Sequence, residues 1–317
     1  MFDITSIGEI LVDFHCEISE KINMHGTIGG ATCNVAIQSS KLGSNSCIIG
    51  AVGNDIIGNF ICDGLDALGV NKYIQRTDAV TTMAIVSLDS NNDRKFDFLR
   101  DPGADSQIIY DDSIINIINN SQILEYGSLA FSKEPSASTI LKALQNSSCI
   151  KAYDPNLRPT IWNNDELMLL KAPVGLKYAN ILKIGDAELL QIATYNGYIN
   201  NNEVNKDNII KTVANRIKDD FNIDQIFVTM GSKGCYYITN KQEGLVKSFD
   251  VNVKDTTGAG DSFFGAILSQ YIKNKFSDIE YSVRYACAAG ALTASKKGTA
   301  EAMPNESEIL KLMCEIK

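Results

Sequence analysis

The 317-residue sequence contains two histidines (His15 and His25), one tryptophan and six prolines. Two histidines are too few for a histidine metal cluster or for hydrolysis centred on histidine. The patterns G-x-S-x-G, H-E-x-x-H and G-x-x-x-x-G-K-[ST] are all missing, which removes the α/β-hydrolase, zinc-protease and P-loop readings. No run of about 18 uncharged apolar residues occurs, so no membrane-spanning helix is expected. Met1-Phe2-Asp3 opens an acidic strand rather than a basic signal sequence. The eight cysteines are scattered, with no C-x-x-C pair. They read as reduced, mostly buried thiols of a cytoplasmic protein, not as a disulfide frame or zinc site. Lys and Arg number 29 against 38 Asp and Glu, a net charge of −9. Nucleic acid and anionic membranes both call for a basic face, so neither is an expected partner.

What is present is core-forming material: 44% hydrophobic and 21% charged residues, enough for a packed interior and a soluble surface. Apolar runs alternate with segments of helical spacing, the pattern of βαβ units on a parallel sheet. Strands are expected over Ile4–Val12, Ser46–Val52, Gln122–Gly127, Cys149–Asp154, Ala179–Ile184 and Gln225–Met230. Helices are expected near Thr32–Leu42, Ile56–Leu68, Pro135–Gln145, Asp186–Ile192 and Asn205–Phe221. The expectation is therefore a single α/β domain over residues 1–317, with ligands at the carboxyl ends of the strands. One region breaks the alternation. Val80–Leu88 and Arg94–Arg100 are β-rich and flank Asp89-Ser90-Asn91-Asn92-Asp93, a hairpin-like arrangement. Phe96 and Phe98 alternate with Lys95 and Asp97, so one face should pack. With residues 12–28, the stretch 72–102 is expected to build a small antiparallel lid; an edge extension of the main sheet is the alternative. Tyr195–Asn208, rich in Asn, reads as a surface loop.

Chemistry concentrates in Asp255-Thr256-Thr257-Gly258-Ala259-Gly260-Asp261, which runs into a helix with apolar residues at Phe264, Ile267, Leu268 and Tyr271. Small residues before a helix leave main-chain N–H groups open at the positive end of its dipole, a setting for a phosphate or a developing anion. Asp261 falls in the first turn. A carboxylate beside a phosphate is costly unless it has a task, and taking a proton from an attacking hydroxyl is one. The plainer alternative is a tight turn with a capping aspartate. A dinucleotide fingerprint fits poorly, because Phe263 stands where its third glycine belongs. A second glycine segment, Gly29-Gly30-Ala31-Thr32-Cys33-Asn34, precedes an amphipathic helix that ends at Leu42-Gly43. Paired glycines next to the lid region suit a hinge, and Asn34 offers both a donor and an acceptor to a polyol. Asp13 at a strand end can accept two hydroxyl hydrogen bonds.

These two segments, Gly29–Gly53 and Asp255–Leu268, together resemble the signatures of the ribokinase-like (phosphofructokinase B type) sugar kinases, and the likeness extends over nearly the whole chain. Within that family the sequence is most similar to the fructokinases. The stretches that carry this are Gly8-Glu9-Ile10-Leu11-Val12-Asp13-Phe14, Arg100-Asp101-Pro102-Gly103-Ala104-Asp105, Gly127-Ser128-Leu129, and Asp154-Pro155-Asn156-Leu157-Arg158 with Trp162. The resemblance implies a three-layer α/β/α domain with a mostly parallel sheet and a small β-sheet lid.

It further implies transfer of the ATP γ-phosphoryl group to O6 of D-fructose, with Asp261 as base and Gly258, Ala259 and Gly260 supplying amides. Asp13, Gly29, Gly30, Asn34, Arg100 and Arg158 would contact the sugar. Thr229, Gly231, Ser232 and Gly234, with Lys183, Glu188 and Cys287, would line the nucleotide site. Glu188 would help organise Mg²⁺ through water, and Asp255, Thr257 and Gly298 would hold a monovalent cation such as K⁺. The chain departs from the family's K-x-N-x-x-E motif at one point. Its Asn position is Gly185, and Asp186 is the neighbouring candidate to stand in. The alternatives are a kinase for 2-keto-3-deoxygluconate or a related sugar acid, since Arg100 and Arg158 suit a carboxylate, and a sugar-binding regulator without catalysis. A homodimer joined through the lid is a further implication.

Overall fold

In a computed structural model, described for all residues except 19–21, 89–93, 163, 200–205 and 316–317, the strands sort into two sheets. Nine strands form the larger one: β1 (Phe2–Ile7), β4 (Ser46–Gly53), β5 (Asn71–Thr77), β8 (Ser121–Gly127), β9 (Ile150–Asp154), β10 (Ile181–Gly185), β11 (Gln225–Thr229), β12 (Cys235–Ile238) and β13 (Glu243–Val246). Their order is β13-β12-β11-β10-β9-β8-β1-β4-β5, parallel throughout except for the antiparallel edge β11-β12-β13. The smaller sheet comprises β2 (Leu11–Ile18), β3 (Ile22–Gly29), β6 (Met83–Leu88) and β7 (Arg94–Leu99), in the order β3-β2-β6-β7. Its β2–β3 and β6–β7 pairs are antiparallel, but β2 and β6 run parallel, so the sheet is mixed rather than purely antiparallel.

Central strands are apolar on both faces because helices cover both. Ile123, Ile181 and Phe227 enter one core, and the next residues in sequence, Leu124, Leu182 and Val228, enter the other. Helices α3 (Asp112–Asn119), α4 (Ser136–Asn146), α6 (Asp165–Leu176), α7 (Asp186–Tyr195) and α8 (Lys206–Phe221) pack on one side, with the short α5 (Pro159–Trp162) beside them. Helices α1 (Ala31–Lys41), α9 (Ala259–Asn274), α10 (Ile279–Ala294) and α11 (Glu306–Glu315) pack on the other, and α2 (Ile56–Ala67) covers the β4–β5 end. This is the three-layer α/β/α architecture expected, and no described helix is long and apolar enough to cross a membrane.

Two expected boundaries move. The apolar run Ile4–Val12 is two strands, because the chain leaves the large sheet at Gly8-Glu9-Ile10 and enters the small one at Leu11. Residues 72–77, the start of the stretch expected in the lid, belong to β5 and pair with β4 as the edge of the large sheet. Asn-Lys-Tyr-Ile-Gln-Arg-Thr is half-buried over Lys72–Gln75 without alternation, so its pattern does not tell which sheet it joins. The Asp89–Asp93 turn and part of the Tyr195–Asn208 loop fall outside the described residues. In β7, Phe98 is half-buried while Asp97 is exposed, as the alternation predicts.

Helices α1 and α9 cross closely. A Cβ added at Gly265 would lie 2.8 Å from Gln38 Cβ and 3.0 Å from the Val35 carbonyl oxygen. Gln38 is fully buried; it accepts from Ser262 Oγ at 2.9 Å and donates to the Pro304 carbonyl at 3.0 Å. The crossing therefore fixes the first turns of both helices. Gly265→Val should cost about 1–3 kcal/mol by overpacking, read as a lower urea midpoint with an unchanged slope; an unshifted midpoint would show that the crossing yields.

Candidate active site

Strand ends and helix starts converge at the carboxyl edge of the large sheet. Asp154 closes β9, and Lys183 lies in β10 with its Nζ 2.8 Å from Asp154 Oδ2; both side chains are almost fully buried. Burial works against the Lys183 ammonium. The carboxylates of Asp154, Glu188 and Asp261 outweigh that effect and hold its pKa above the ordinary value. Glu188, in the first turn of α7, folds back on itself: Oε2 accepts the Gly185 N–H at 2.9 Å and Oε1 the Leu157 N–H at 2.6 Å. It thereby ties the 154–158 loop to the start of α7.

The turn before α9 is built for close approach. Asp255 Oδ1 accepts the Thr257 N–H at 2.8 Å, and Gly258 caps the helix at φ +75°, a left-handed conformation that favours glycine. A Cβ at Gly260 would sit 2.9 Å from Lys183 Nζ, so the ammonium lies over the first turn. Asp261 follows, 7% exposed, and its Oδ2 accepts from Asn34 Nδ2 at 2.8 Å. That bond sets the amide orientation, since the Asn34 oxygen could not face a carboxylate. Asn34 Oδ1 is left buried without a partner.

Two cavities flank this turn. One, of about 430 Å³, is lined by Asp13, Gly30, Asn34, Arg158, Lys183 and Asp261 among others. The second, of about 560 Å³, is lined by Thr229, Gly231, Ser232, Gly234 and Cys287, with an apolar wall from Phe249, Val251, Phe263 and Ala291. Thr256 and Gly260 line both. A small polyol-sized chamber and a longer, more apolar slot thus share one wall, and that wall is the helix N-terminus.

A family model for "pfkB family carbohydrate kinase" matches residues 1–306. The chain belongs to the pfkB family of carbohydrate kinases. It is a phosphotransferase acting on a sugar. A probable fructokinase-3 from Arabidopsis thaliana is 32% identical over 328 aligned residues, covering 98% of this chain and 91% of that one. Fructokinase from Xylella fastidiosa with bound ATP superposes with a TM-score of 0.86 at 27% identity, covering 99% of this kinase and 98% of that chain. Fructokinase from Vibrio cholerae in fructose-, ADP- and calcium-bound form gives 0.81 at 26% identity, covering 98% and 99%.

The kinase brings most of the anticipated residues together, with instructive exceptions. Gly29 is not a wall of the chamber; a Cβ there would collide with the Asp13 carboxylate, so its lack of a side chain gives Asp13 room. Gly30 lines the chamber at φ +101°, and a Cβ on it would lie 2.5 Å from the Glu9 carbonyl oxygen. Arg158 is exposed in the chamber. Arg100 departs from expectation. Its Nε and Nη2 each lie 2.8 Å from Asp105 Oδ2, and Nη2 donates to Ser132 Oγ at 3.1 Å. It lines a separate cavity of about 220 Å³ beyond Phe98 and Ile161. Lys183 and Glu188, expected in the nucleotide site, line the 430 Å³ chamber, whereas Thr229, Gly231, Ser232, Gly234 and Cys287 line the other cavity. Asp186, the candidate stand-in, accepts its neighbour Ala187 N–H at 2.9 Å. Asp255 Oδ2 faces the Gly298 N–H at 3.5 Å.

Sequence reading assigned no role to Glu9, Asp154 or Asn156. Glu9 and Asn156 line the chamber, and Asn156 has φ +42°. A charged residue inside an otherwise apolar run, as in Gly8-Glu9-Ile10, was the available signal, since acidic side chains are rarely buried without a reason. Burial, helped by the Asp261 and Asp255 charges and opposed by Arg158, pushes Asp13 up to about 7. Its folded pKa thus lies above its unfolded value, so between pH about 4 and 7 the native state holds the extra proton and stability falls as pH rises. Asp13→Asn removes this loss. The melting temperature of the variant minus that of wild type should climb from pH 4 to 7 and level off above; a flat difference would mean that Asp13 is not desolvated.

Proposed function

We propose that this kinase transfers the γ-phosphoryl group of ATP to the O6 hydroxyl of D-fructose, giving fructose 6-phosphate and ADP. The observation that carries it is the shared wall: Thr256 and Gly260 separate a carboxylate-rich chamber from an apolar slot, with Asp261 on the chamber side. Fructose sits in the chamber on Asp13, Gly30, Asn34 and Arg158, and ATP lies in the slot from Thr229 to Cys287. The γ-phosphate then meets the amides of residues 258–260 and Lys183. Asp261 accepts the O6 proton as the oxygen attacks phosphorus and the bond to the ADP oxygen breaks. Transfer of this kind is loose, so placement and fixed dipoles contribute more than base strength. The small sheet acts as a lid. Phe98 and Leu11, from its strands, already line the chamber, and closure would exclude water as a rival nucleophile.

The donor set suits two ions. Mg²⁺, which neutralises phosphate charge when bound, would be held through water by Glu188 and by Asp154, whose Oδ1 is buried without a partner. K⁺ would be held by Asp255, the Thr257 carbonyl and the Gly298 loop, where Thr299 Oγ1 is likewise buried and unpartnered. A sugar-acid substrate is less well served, because Asp105 already neutralises Arg100. The curated relatives, fructokinases by name, favour fructose. An intact Asp261 turn argues against a silent regulator. The protein would act in the cytoplasm as a homodimer joined through the lid, where edge strand β3 leaves Ile22 and Met24 at least half exposed.

Asp261→Asn should lower kcat by roughly 10²–10⁴ while leaving the fructose KM within a few-fold, measured by coupled ADP release. Near-wild-type turnover would remove Asp261 from the base role, and a phosphorus NMR spectrum showing any ester but the 6-phosphate would revise the acceptor. Light scattering should give about twice the 34.6 kDa chain mass; a monomer at micromolar concentration would rule out the lid dimer.

A further inference from the structure

Glu9 is the one chamber carboxyl without a task in the scheme above. It sits where the chain passes from the large sheet to the small one, two residues before β2, and is 5% exposed. One oxygen has a clear structural use. Helix α1 starts at Gly30, which has no side chain to cap it, and Glu9 Oε1 accepts the Ala31 N–H at 3.1 Å. Thr32 Oγ1 donates to the Glu9 carbonyl at 2.9 Å, a second bond across the same junction. The other oxygen, Oε2, is buried with no hydrogen-bond partner. A buried unpartnered acceptor normally costs on the order of 1–3 kcal/mol, and such groups in native proteins call for an explanation.

The chamber supplies one. Its wall beside Glu9 is rich in acceptors: Glu9, Asp13 and Asp261 contribute carboxyls, and Asn34, which donates to Asp261, adds the unpartnered Oδ1. Burial, helped by the Asp105 and Asp261 charges, also pushes Glu9 up to about 7 against the pull of nearby backbone amides, so above that pH Oε2 is an acceptor only. A free sugar presents the complement, several O–H donors on a small frame. We propose that Glu9 Oε2 accepts a hydrogen bond from a hydroxyl of the bound sugar, making Glu9 a specificity residue that selects polyols presenting a donor at that position. This rests on the sugar-kinase reading of the same chamber.

Glu9→Gln tests it, because the amide oxygen can keep the Ala31 bond while the N–H₂ replaces Oε2 with a donor. Wild type and variant are compared on a sugar panel and on the mono-deoxy analogues of whichever sugar wild type accepts, with melting temperature measured in parallel. The expected result is a sugar KM raised roughly tenfold or more, with ATP KM unchanged and melting temperature not lowered, and with the penalty vanishing for one deoxy analogue only. A variant KM equal to wild type overturns the proposal. So does a penalty spread equally over every analogue with a lowered melting temperature, since that marks a purely structural brace. Failure of fructose itself shows in the wild-type data and displaces the fructose reading alone; failure of every sugar displaces both.

Discussion

The close crossing of α1 and α9 is the constraint on which the site depends. Gly265 lets the helices approach, and the approach brings the first turn of α1 against the first turn of α9. Asn34 then meets Asp261, and Gln38 meets Ser262 and the end of the 295–304 loop. Lys41, one turn further along α1, donates to the Ala300 and Met303 carbonyls. A polar stripe on one buried helix thus aligns the Asp261 carboxylate, the helix that carries it and the loop behind it. Because these bonds lie in a packed interior, small displacements in one are transmitted to the others rather than absorbed.

The electrostatic character of the site is local. A net charge of −9 and a carboxyl-rich chamber look hostile to a triphosphate. Yet the Lys183 ammonium lies over the start of α9 at the wall between the two cavities, and the Arg158 guanidinium lines the chamber. Overall charge governs long-range encounter, whereas these groups act within a few ångströms. The Lys183–Asp154 pair illustrates the balance: its ammonium stays charged in a buried setting because three carboxylates surround it.

Much of this was readable in the sequence, and the failures have physical causes. Period and turn chemistry located the central strands, and the two glycine segments placed Gly30, Asn34, Gly258 and Asp261 together across a long separation in the chain. The junction at Gly8-Glu9-Ile10 was missed because the apolar run reads as one strand, although its glycine and its acidic residue mark the point where the chain changes sheets. Edge strand β5 was misassigned because a strand half-buried over Lys72–Gln75 carries no alternation that tells one sheet from the other. The partner of Arg100 was five residues away at Asp105, but the ion pair depends on a 3₁₀ turn over Ala104–Ser106 that composition does not announce. Lys183 moved from one cavity to the other because a side chain at a strand end can reach either side of a thin wall.

Gly185 and Glu188 have a further bearing on each other. A Cβ at position 185 would stand 3.1 Å from Glu188 Oε2, the same oxygen that accepts the Gly185 N–H. A side chain there would press on the carboxylate that braces the 154–158 loop and shift it by a few tenths of an ångström. The rotamer of Glu188 and the bareness of position 185 are therefore coupled: what stands at one position tunes how tightly the other clasps the neighbouring loop.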